Sequence, residues 1–395
     1  MKVLQINSVC GYGSTGRIAA DLSKVIFKSG GDCTIAYGRG SAPDGIKTIK
    51  IGGNFDVNFH AFMSRLTDKT GFYSKNATKE FIKRAAEYDP DVIHLHNIHG
   101  YYINIELLFD YIRNANKPVI WTLHDCWPYT GHCAYYTSSG CGRWEKGCYD
   151  CPQKDAYPKS FVDNSKANYT NKKKIFTSFK KITFVTPSKW LKSELSESFL
   201  KDYKSVVIEN GIDMDIFKPT DAGFREKHSL SGKKILLGVA SVWEKRKGFD
   251  DFLELSKLID NDTVIVLVGV NAEQKSRLNQ NMIGVERTAD AAELAGIYST
   301  ADYFLNPTYE DNFPTTNLEA MACGTPVITY NTGGSPEAIA EGCGSVVPTG
   351  DIKAMYEKTF ETYRREDILK NAANFDKNIC FKKYIELYEK AVGND

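Results

Sequence analysis

At 395 residues the chain is too long for one ordinary hydrophobic core and suits two domains of roughly 150–200 residues each. Its 42% hydrophobic and 25% charged residues are those of a globular protein, which excludes disordered, collagenous and fibrous chains. Lys and Arg number 50 against 49 Asp and Glu, so the formal charge of +1 gives no overall pull toward nucleic acid.

From the N-terminus, residues 2–7 read as a short buried strand, followed by a Gly-rich turn and a helical pattern over about 16–29 closed by Gly30-Gly31. The alternation continues with a strand at 33–37, a helix at 79–88, a strand at 91–95, a helix at 105–114 and a strand at 119–123. A second series follows with strands at 235–239, 263–268, 303–305 and 326–329. Helices are expected there at 249–259, 272–280, 291–299, 316–323 and 352–364. Strands alternating with helices predict α/β architecture in both halves, each a parallel sheet covered on both faces. Turn signals at 208–213 and 217–219 mark a linker. The longest apolar runs, 235–239 and 264–270, fall far short of the about 18 residues a membrane span requires. The first residues turn polar quickly and lack a leader pattern, so a cytoplasmic protein is expected.

Gly11-Tyr12-Gly13-Ser14-Thr15-Gly16 matches G-x-G-x-x-G between a strand and a helix, where backbone N–H groups can hold a phosphate. A dinucleotide site also needs an acid at the end of the second strand, which here ends Ala36-Tyr37-Gly38-Arg39, with Asp32 before it. The missing acid counts against an NAD(P)-dependent oxidoreductase. It favours an anion-friendly or structural loop.

The most informative segment runs Asn306-Pro307-Thr308-Tyr309-Glu310-Asp311-Asn312-Phe313-Pro314-Thr315-Thr316-Asn317-Leu318-Glu319-Ala320-Met321-Ala322-Cys323-Gly324-Thr325-Pro326-Val327. It reads as a strand end, a loop with two acids, and a helix whose N-terminus can face a diphosphate. Two carboxylates eight residues apart allow one to address a sugar and the other a ribose diol. The segment resembles the retaining nucleotide-sugar glycosyltransferases of family 4, of the bacterial polysaccharide-biosynthesis type, whose motif is E-x7-E followed by A-M-A-x-G-x-P-V. Thr122-Leu123-His124-Asp125, Glu209-Asn210-Gly211-Ile212-Asp213, Lys247-Gly248 and Gly333-Gly334-Ser335-Pro336-Glu337 extend the resemblance along most of the chain.

The resemblance implies a GT-B fold, two Rossmann-like doubly wound parallel-sheet domains facing across a cleft. An acceptor-side domain is expected over 1–208 and a nucleotide-sugar donor domain over 209–374. A last helix within 375–395 would pack back on the first domain. Glu319 would bind the ribose and the first acid the donor sugar. That acid is Asp311 by register, with Glu310 beside it, and either carboxylate could face the sugar. The other implied donor contacts are Gly13, Ser14, Thr315, Thr316, Asn317, Leu318 and Asn210. The family's usual Arg before Lys-Gly is replaced by Ser241-Val242, so Lys247 keeps its place on the diphosphate and Arg246 or Lys245 would supply the second charge. His124, at the carboxyl edge of a sheet, would contact the reacting sugar.

Three features lie outside this set. His94, His96 and His99 line a crevice or a core more readily than they hold a metal. Lys172-Lys173-Lys174 and Lys180-Lys181 flank Ile175, Phe176 and Phe179, a basic amphipathic stretch that is a solvated face or a membrane contact. Cys133, Cys141, Cys148 and Cys151 are spaced C-x7-C-x6-C-x2-C in the 125–160 loop, which reads as having little core of its own. A structural zinc on these four thiolates is expected, with His132 a substitute ligand, Cys126 a packing residue, and free thiols or disulfides the alternatives.

The expected function is transfer of a sugar, with retention, from a nucleotide-diphosphate sugar to a glycan or lipid-linked oligosaccharide in capsule, exopolysaccharide or O-antigen synthesis. This is EC 2.4 chemistry, without a catalytic metal and without nucleic acid. Peripheral contact with the cytoplasmic face of the membrane is allowed. The alternative is an epimerase, a phosphorylase or a non-catalytic nucleotide-sugar binder of the same fold.

Overall fold

The computed structural model describes residues 1–393, which form two compact units: residues 1–209 with the chain from Phe381 onward, and Asn210–Cys380. The first unit holds a seven-stranded parallel sheet of β1 (Lys2–Val9), β2 (Asp32–Arg39), β3 (Thr48–Lys50), β4 (Val92–Leu95), β5 (Val119–Thr122), β6 (Ile182–Thr186) and β7 (Lys204–Val207). Their spatial order is β3-β2-β1-β4-β5-β6-β7, so the direction of winding reverses beside β1. Its helices are α1 (Gly13–Lys28), α2 (Asn54–Thr67), α3 (Lys75–Tyr88), α4 (Ile105–Ala115), α5 (Ser165–Phe176) and α6 (Lys189–Glu197). The strands are apolar on both faces, as a sheet covered on both sides requires. Trp121 of β5 stands edge-on to Phe176 of α5 at 4.9 Å and stacks on Phe184 of β6 at 5.4 Å.

The second unit has α7 (Phe224–Lys227), β8 (Lys234–Val239), α8 (Phe249–Leu255), β9 (Thr263–Val268), α9 (Ala272–Ser276), β10 (Met282–Val285) and α10 (Ala291–Thr300). It continues through β11 (Tyr303–Asn306), α11 (Thr315–Ala322), β12 (Val327–Tyr330), β13 (Gly344–Val347), α12 (Ile352–Glu357) and α13 (Arg365–Ala373). The six strands are parallel in the order β10-β9-β8-β11-β12-β13. Both units are therefore Rossmann-like.

The strands of the sequence pattern are found within a residue or two of their expected ends. The single helix expected over 352–364 is instead α12, a tight turn at Lys358–Phe360, and a new helix from Arg365. Thr359 is buried there and its hydroxyl donates to the Tyr356 carbonyl, competing with the helical ladder. Helix α2 escapes the pattern because it is inside out: its buried residues are His60 and Ser64, while Phe55, Phe59, Phe62 and Leu66 are exposed. The His60 ring accepts from the Gly71 N–H at 3.1 Å and meets Ser74 Oγ at 2.8 Å, and burial holds its pKa down at about 3.

The last helix, α14 (Lys377–Val392), carries two tyrosines into the first unit. Tyr388 Oη lies 2.6 Å from His94 Nδ1, and Tyr384 Oη lies 3.0 Å from Thr122 Oγ1, which also meets His94 Nε2 at 2.8 Å. All four side chains are buried. Tyr388→Phe should leave the His94 Nδ1 without its partner and lower stability by about 1–3 kcal/mol, read as a fall in the denaturation midpoint. An unchanged midpoint would mean that water replaces the hydroxyl.

Candidate active site

In the second unit the basic turn Lys245–Lys247 is seated on the loop after β11. Gly248 makes this possible: its φ is +72°, and a Cβ there would stand 2.3 Å from the Pro307 carbonyl oxygen. The Arg246 carbonyl accepts from the Tyr309 N–H at 2.7 Å and from Thr308 Oγ1 at 3.2 Å, while the Arg246 guanidinium donates to Glu244 at 3.0 Å and to the Glu310 carbonyl at 3.3 Å. Next to it, Lys247 Nζ donates to Asp311 Oδ2 at 2.5 Å, with the two side chains 19% and 17% exposed. Burial pulls the Lys247 pKa down, and the Asp311 carboxylate opposes that pull.

Four residues after Asp311, α11 starts behind Pro314 with no side chain capping its first turn. Thr315 and Thr316 are half-buried at that end, so their backbone amides can receive an anion. Glu319 follows just over one helical turn later, 3% exposed, and accepts from Tyr298 Oη at 3.1 Å. Beneath the loop, Asn306 Nδ2 donates to Asn317 Oδ1 at 2.7 Å, and Asn317 Nδ2 donates to Ser335 O and Oγ at 3.2 and 3.1 Å. Ser335 Oγ meets Thr329 Oγ1 at 2.7 Å, and the Gly334 N–H donates to the Asp311 carbonyl at 3.2 Å. This knot locks the Gly333-Gly334-Ser335 turn under the acidic loop.

In the first unit, β5 ends at Thr122 and sets His124, half-buried, at the carboxyl edge of the sheet. His124 Nε2 lies 2.9 Å from His96 Nδ1, and His96 Nε2 lies 2.9 Å from Gln5 Oε1. Gln5 spends its amide nitrogen on the Ala19 carbonyl at 3.0 Å and Cys33 Sγ at 3.2 Å, so its oxygen faces His96 as an acceptor. His96 Nε2 must then carry the proton. Burial keeps His96 neutral, which leaves Nδ1 as an acceptor, and His124 donates to it through Nε2–H. Burial also holds the His124 pKa at about 4 despite the neighbouring Asp125, so at neutral pH its Nδ1 has acceptor capacity only. Asp125 accepts from the His99 ring at 2.7 Å and the Trp127 N–H at 3.0 Å. Burial alone would raise its pKa, but those partners outweigh it and keep the carboxylate ionised.

A family model described as Glycosyltransferase Family 4 matches residues 15–216, and one described as Glycosyl transferases group 1 matches residues 233–365. The chain belongs to glycosyltransferase family 4. It is 23% identical over 411 residues to an Escherichia coli (strain K12) protein described as a colanic acid biosynthesis glycosyl transferase, WcaC, covering 98% of this chain and 100% of the relative. Among solved structures it is similar to sucrose-phosphate synthase from Thermosynechococcus elongatus, with a TM-score of 0.75, 17% identity and full coverage of both chains. It is also similar to Anabaena HepE in complex with UDP-glucose, with a TM-score of 0.68 and 13% identity over 99% of this chain and 100% of that one. The fold of this glycosyltransferase is GT-B.

Within the glycosyltransferase the second unit gathers Lys247, Arg246, Glu310 and Asp311 on one loop pair, and Asn210 donates to the Phe313 carbonyl at 2.9 Å beside them. Asn317 and Leu318 have fully buried side chains, so a donor could meet them only through the backbone. In the first unit Gly13 and Ser14 are exposed at the uncapped start of α1. Sequence reasoning missed Gln5 and Tyr298, and named His96 only as a crevice or core residue. A polar Gln5 between Leu4 and Ile6 of an apolar strand was the available signal for the first.

The fold brings the residues of the expected zinc site to one place. Cys133, Cys141, Cys148, Cys151 and His132 line one small space, yet among the described residues no group of three or more His, Cys, Asp or Glu side chains is placed to hold a metal ion. The Cys133 thiol instead hydrogen-bonds to Cys151, Cys148 Sγ accepts from the Gly131 N–H at 3.0 Å, and the His132 Nδ1 is paired with Asp68. The loop does have a core of its own: Trp127, Tyr129, Tyr136 and Trp144 are buried, with Tyr136 stacked on Trp144 at 4.9 Å. The His94, His96 and His99 rings are likewise spent on hydrogen bonds to Tyr388, Thr122, Gln5, His124, Asp125 and Tyr157.

Hydrogen bonding from Cys133 lowers the Cys151 pKa to about 7, whereas burial raises Cys148 and Cys10 to about 11. Alkylation of the native protein should therefore reach Cys151 first, with a pH midpoint near 7 that Cys133→Ala moves upward. Mass mapping of the modified peptides at several pH values is the measurement. Labelling of Cys148 before Cys151 would contradict the pairing.

Proposed function

We propose that the protein transfers a hexosyl-type sugar, with retention, from a nucleotide-diphosphate sugar to a glycan or lipid-linked oligosaccharide of a bacterial surface polysaccharide such as capsule, exopolysaccharide or O-antigen. The observation that carries this reading is the Lys247–Asp311 pair at the foot of an uncapped helix whose second turn holds a buried Glu319. WcaC, alike over its whole length, supports the polysaccharide setting, and HepE with its UDP-glucose supports the donor class.

In this reading Glu319 accepts from the ribose hydroxyls, Asp311 from the donor sugar, and the amides of Thr315 and Thr316 hold a phosphate. Lys247 and Arg246 neutralise the diphosphate as the glycosidic bond breaks, a charge that grows only in the transition state. His124, held as the Nε2–H tautomer, presents an acceptor nitrogen to a sugar hydroxyl. Two cationic side chains on the leaving group make a divalent metal unnecessary for transfer.

Glu319→Ala should weaken nucleoside diphosphate binding by about ten- to a hundredfold, the loss of charge-assisted hydrogen bonds worth roughly 1.5–3 kcal/mol, measured by calorimetry. Lys247→Ala should lower kcat more than it raises KM. If both variants bind and turn over like the parent, the donor site lies elsewhere. Activity should persist in chelator, and the product's anomeric proton should show the donor's configuration. Turnover restored only by Mg²⁺ or Mn²⁺, or an inverted product, would replace this mechanism.

A further inference from the structure

The basic stretch at 172–181 does not present an apolar face to any surface. Phe176 and Phe179 are buried in the core, and Lys172 is buried with its Nζ donating to the Trp127 carbonyl at 2.6 Å above the indole ring. An exposed apolar stripe of the first unit lies on α2 instead. Phe55, Phe59, Phe62 and Leu66 are 81%, 48%, 59% and 43% exposed, and at 3.6 residues per turn their spacing confines them to an arc of roughly 60°. The rings of Phe55 and Phe59 stack at 6.3 Å. At the C-terminal end of the helix the stripe is extended by Phe161 and Val162, 63% and 46% exposed, whose segment is tied down by Phe161 N–H and Ser160 Oγ donating to the Arg65 carbonyl. A continuous exposed apolar patch of this kind marks an interaction site.

The charges around the stripe select its partner. Phe55 and Phe59 also border a cavity of about 590 Å³ whose walls include Lys69 and Lys75. Asn168 and Asn171 of α5 line the same cavity, and Lys166, Lys173 and Lys174 are exposed on that helix. None of these five lysines is in an ion pair among the described residues. Of the two carboxylates in the lining, Asp56 accepts the Gly53 N–H at 2.8 Å and Glu106 lies in the first turn of α4. A second copy docking stripe to stripe would set these lysines against themselves across the twofold axis. A surface of phosphates would neutralise them while accepting the phenylalanines.

We propose that this face is a membrane-docking surface: α2 lies in the plane of an anionic phospholipid leaflet, its phenylalanines enter the headgroup–acyl boundary, and the lysines meet lipid phosphates. The docking needs no donor and no turnover. It therefore stands or falls separately from the transfer reaction.

The full chain should co-sediment with vesicles of phosphatidylglycerol and phosphatidylethanolamine and not with vesicles of phosphatidylcholine alone. F55S/F59S/F62S should lower the partition coefficient at least tenfold while turnover on a water-soluble acceptor is kept. Lys69→Ala and Lys75→Ala should each lower it about fivefold at low salt. Phe59→Trp, with the other phenylalanines intact, should shift its emission to the blue on the anionic vesicles. Equal sedimentation of the triple variant, or no sedimentation of the parent, overturns the proposal. So does a parent dimer that the triple variant converts to monomer while neither binds vesicles. A chain that binds vesicles but transfers no sugar would sink the proposed reaction and leave the docking surface standing.

Discussion

An ammonium group largely withdrawn from water stays charged only if an anion stands beside it, and in this protein that anion is Asp311. The pair fixes more than two side chains. Lys247 belongs to a turn closed by Gly248 on the Pro307 backbone, and Asp311 belongs to a loop whose carbonyl is held by Gly334. The ion pair thus binds together the turn after β8, the loop after β11 and the Gly-rich turn after β12, three carboxyl ends of neighbouring parallel strands. Those ends are where an open α/β sheet keeps its ligand site. The single carboxylate that holds Lys247 belongs to the same loop that these contacts fix in place.

The acidic loop was legible in the sequence because its chemistry needs particular residue types at a particular spacing, and Asp311, Glu319 and Ala320-Met321-Ala322 display that spacing without reference to anything distant. The strands were legible for a similar reason: a buried parallel strand is a short apolar run wherever it occurs. The knot of Asn306, Asn317, Thr329 and Ser335 was not, since each residue alone looks like ordinary loop polarity and only the fold brings them within hydrogen-bond distance. Helix α2 was hidden by the inverse effect. Its apolar residues have a helical period, but they point outward, and the inward His60 and Ser64 give no apolar core pattern.

The zinc expectation rested on reading the 125–160 loop as a segment without a core, and that reading missed its aromatics. Counted by Gly, Tyr and charge, the segment looks unable to support itself, which invites a metal staple. Its few large aromatics supply a core: Trp127, Tyr129, Tyr136 and Trp144 pack together and join the core of the first unit. Four buried rings remove apolar surface from water, and the cysteines among them hydrogen-bond to each other and to Gly131.

The histidines of the first unit show how a polar core specifies one arrangement. Each ring nitrogen of His94 and His96 has one partner, and the chain of partners runs from Gln5 through His96 to His124, and separately from Tyr388 through His94 to Thr122 and Tyr384. Because burial keeps His94, His96 and His124 neutral, a proton on one nitrogen dictates the role of the next. The tautomer of His124 is therefore set 91 residues upstream of His96, by an amide that β1 carries into the sheet. His94 and His96, with ring centroids 4.0 Å apart, join the last helix, bonded to one ring, to the catalytic candidate, bonded to the other. The alternation of strand and helix builds the edge, but the ring nitrogens decide which lone pair that edge presents.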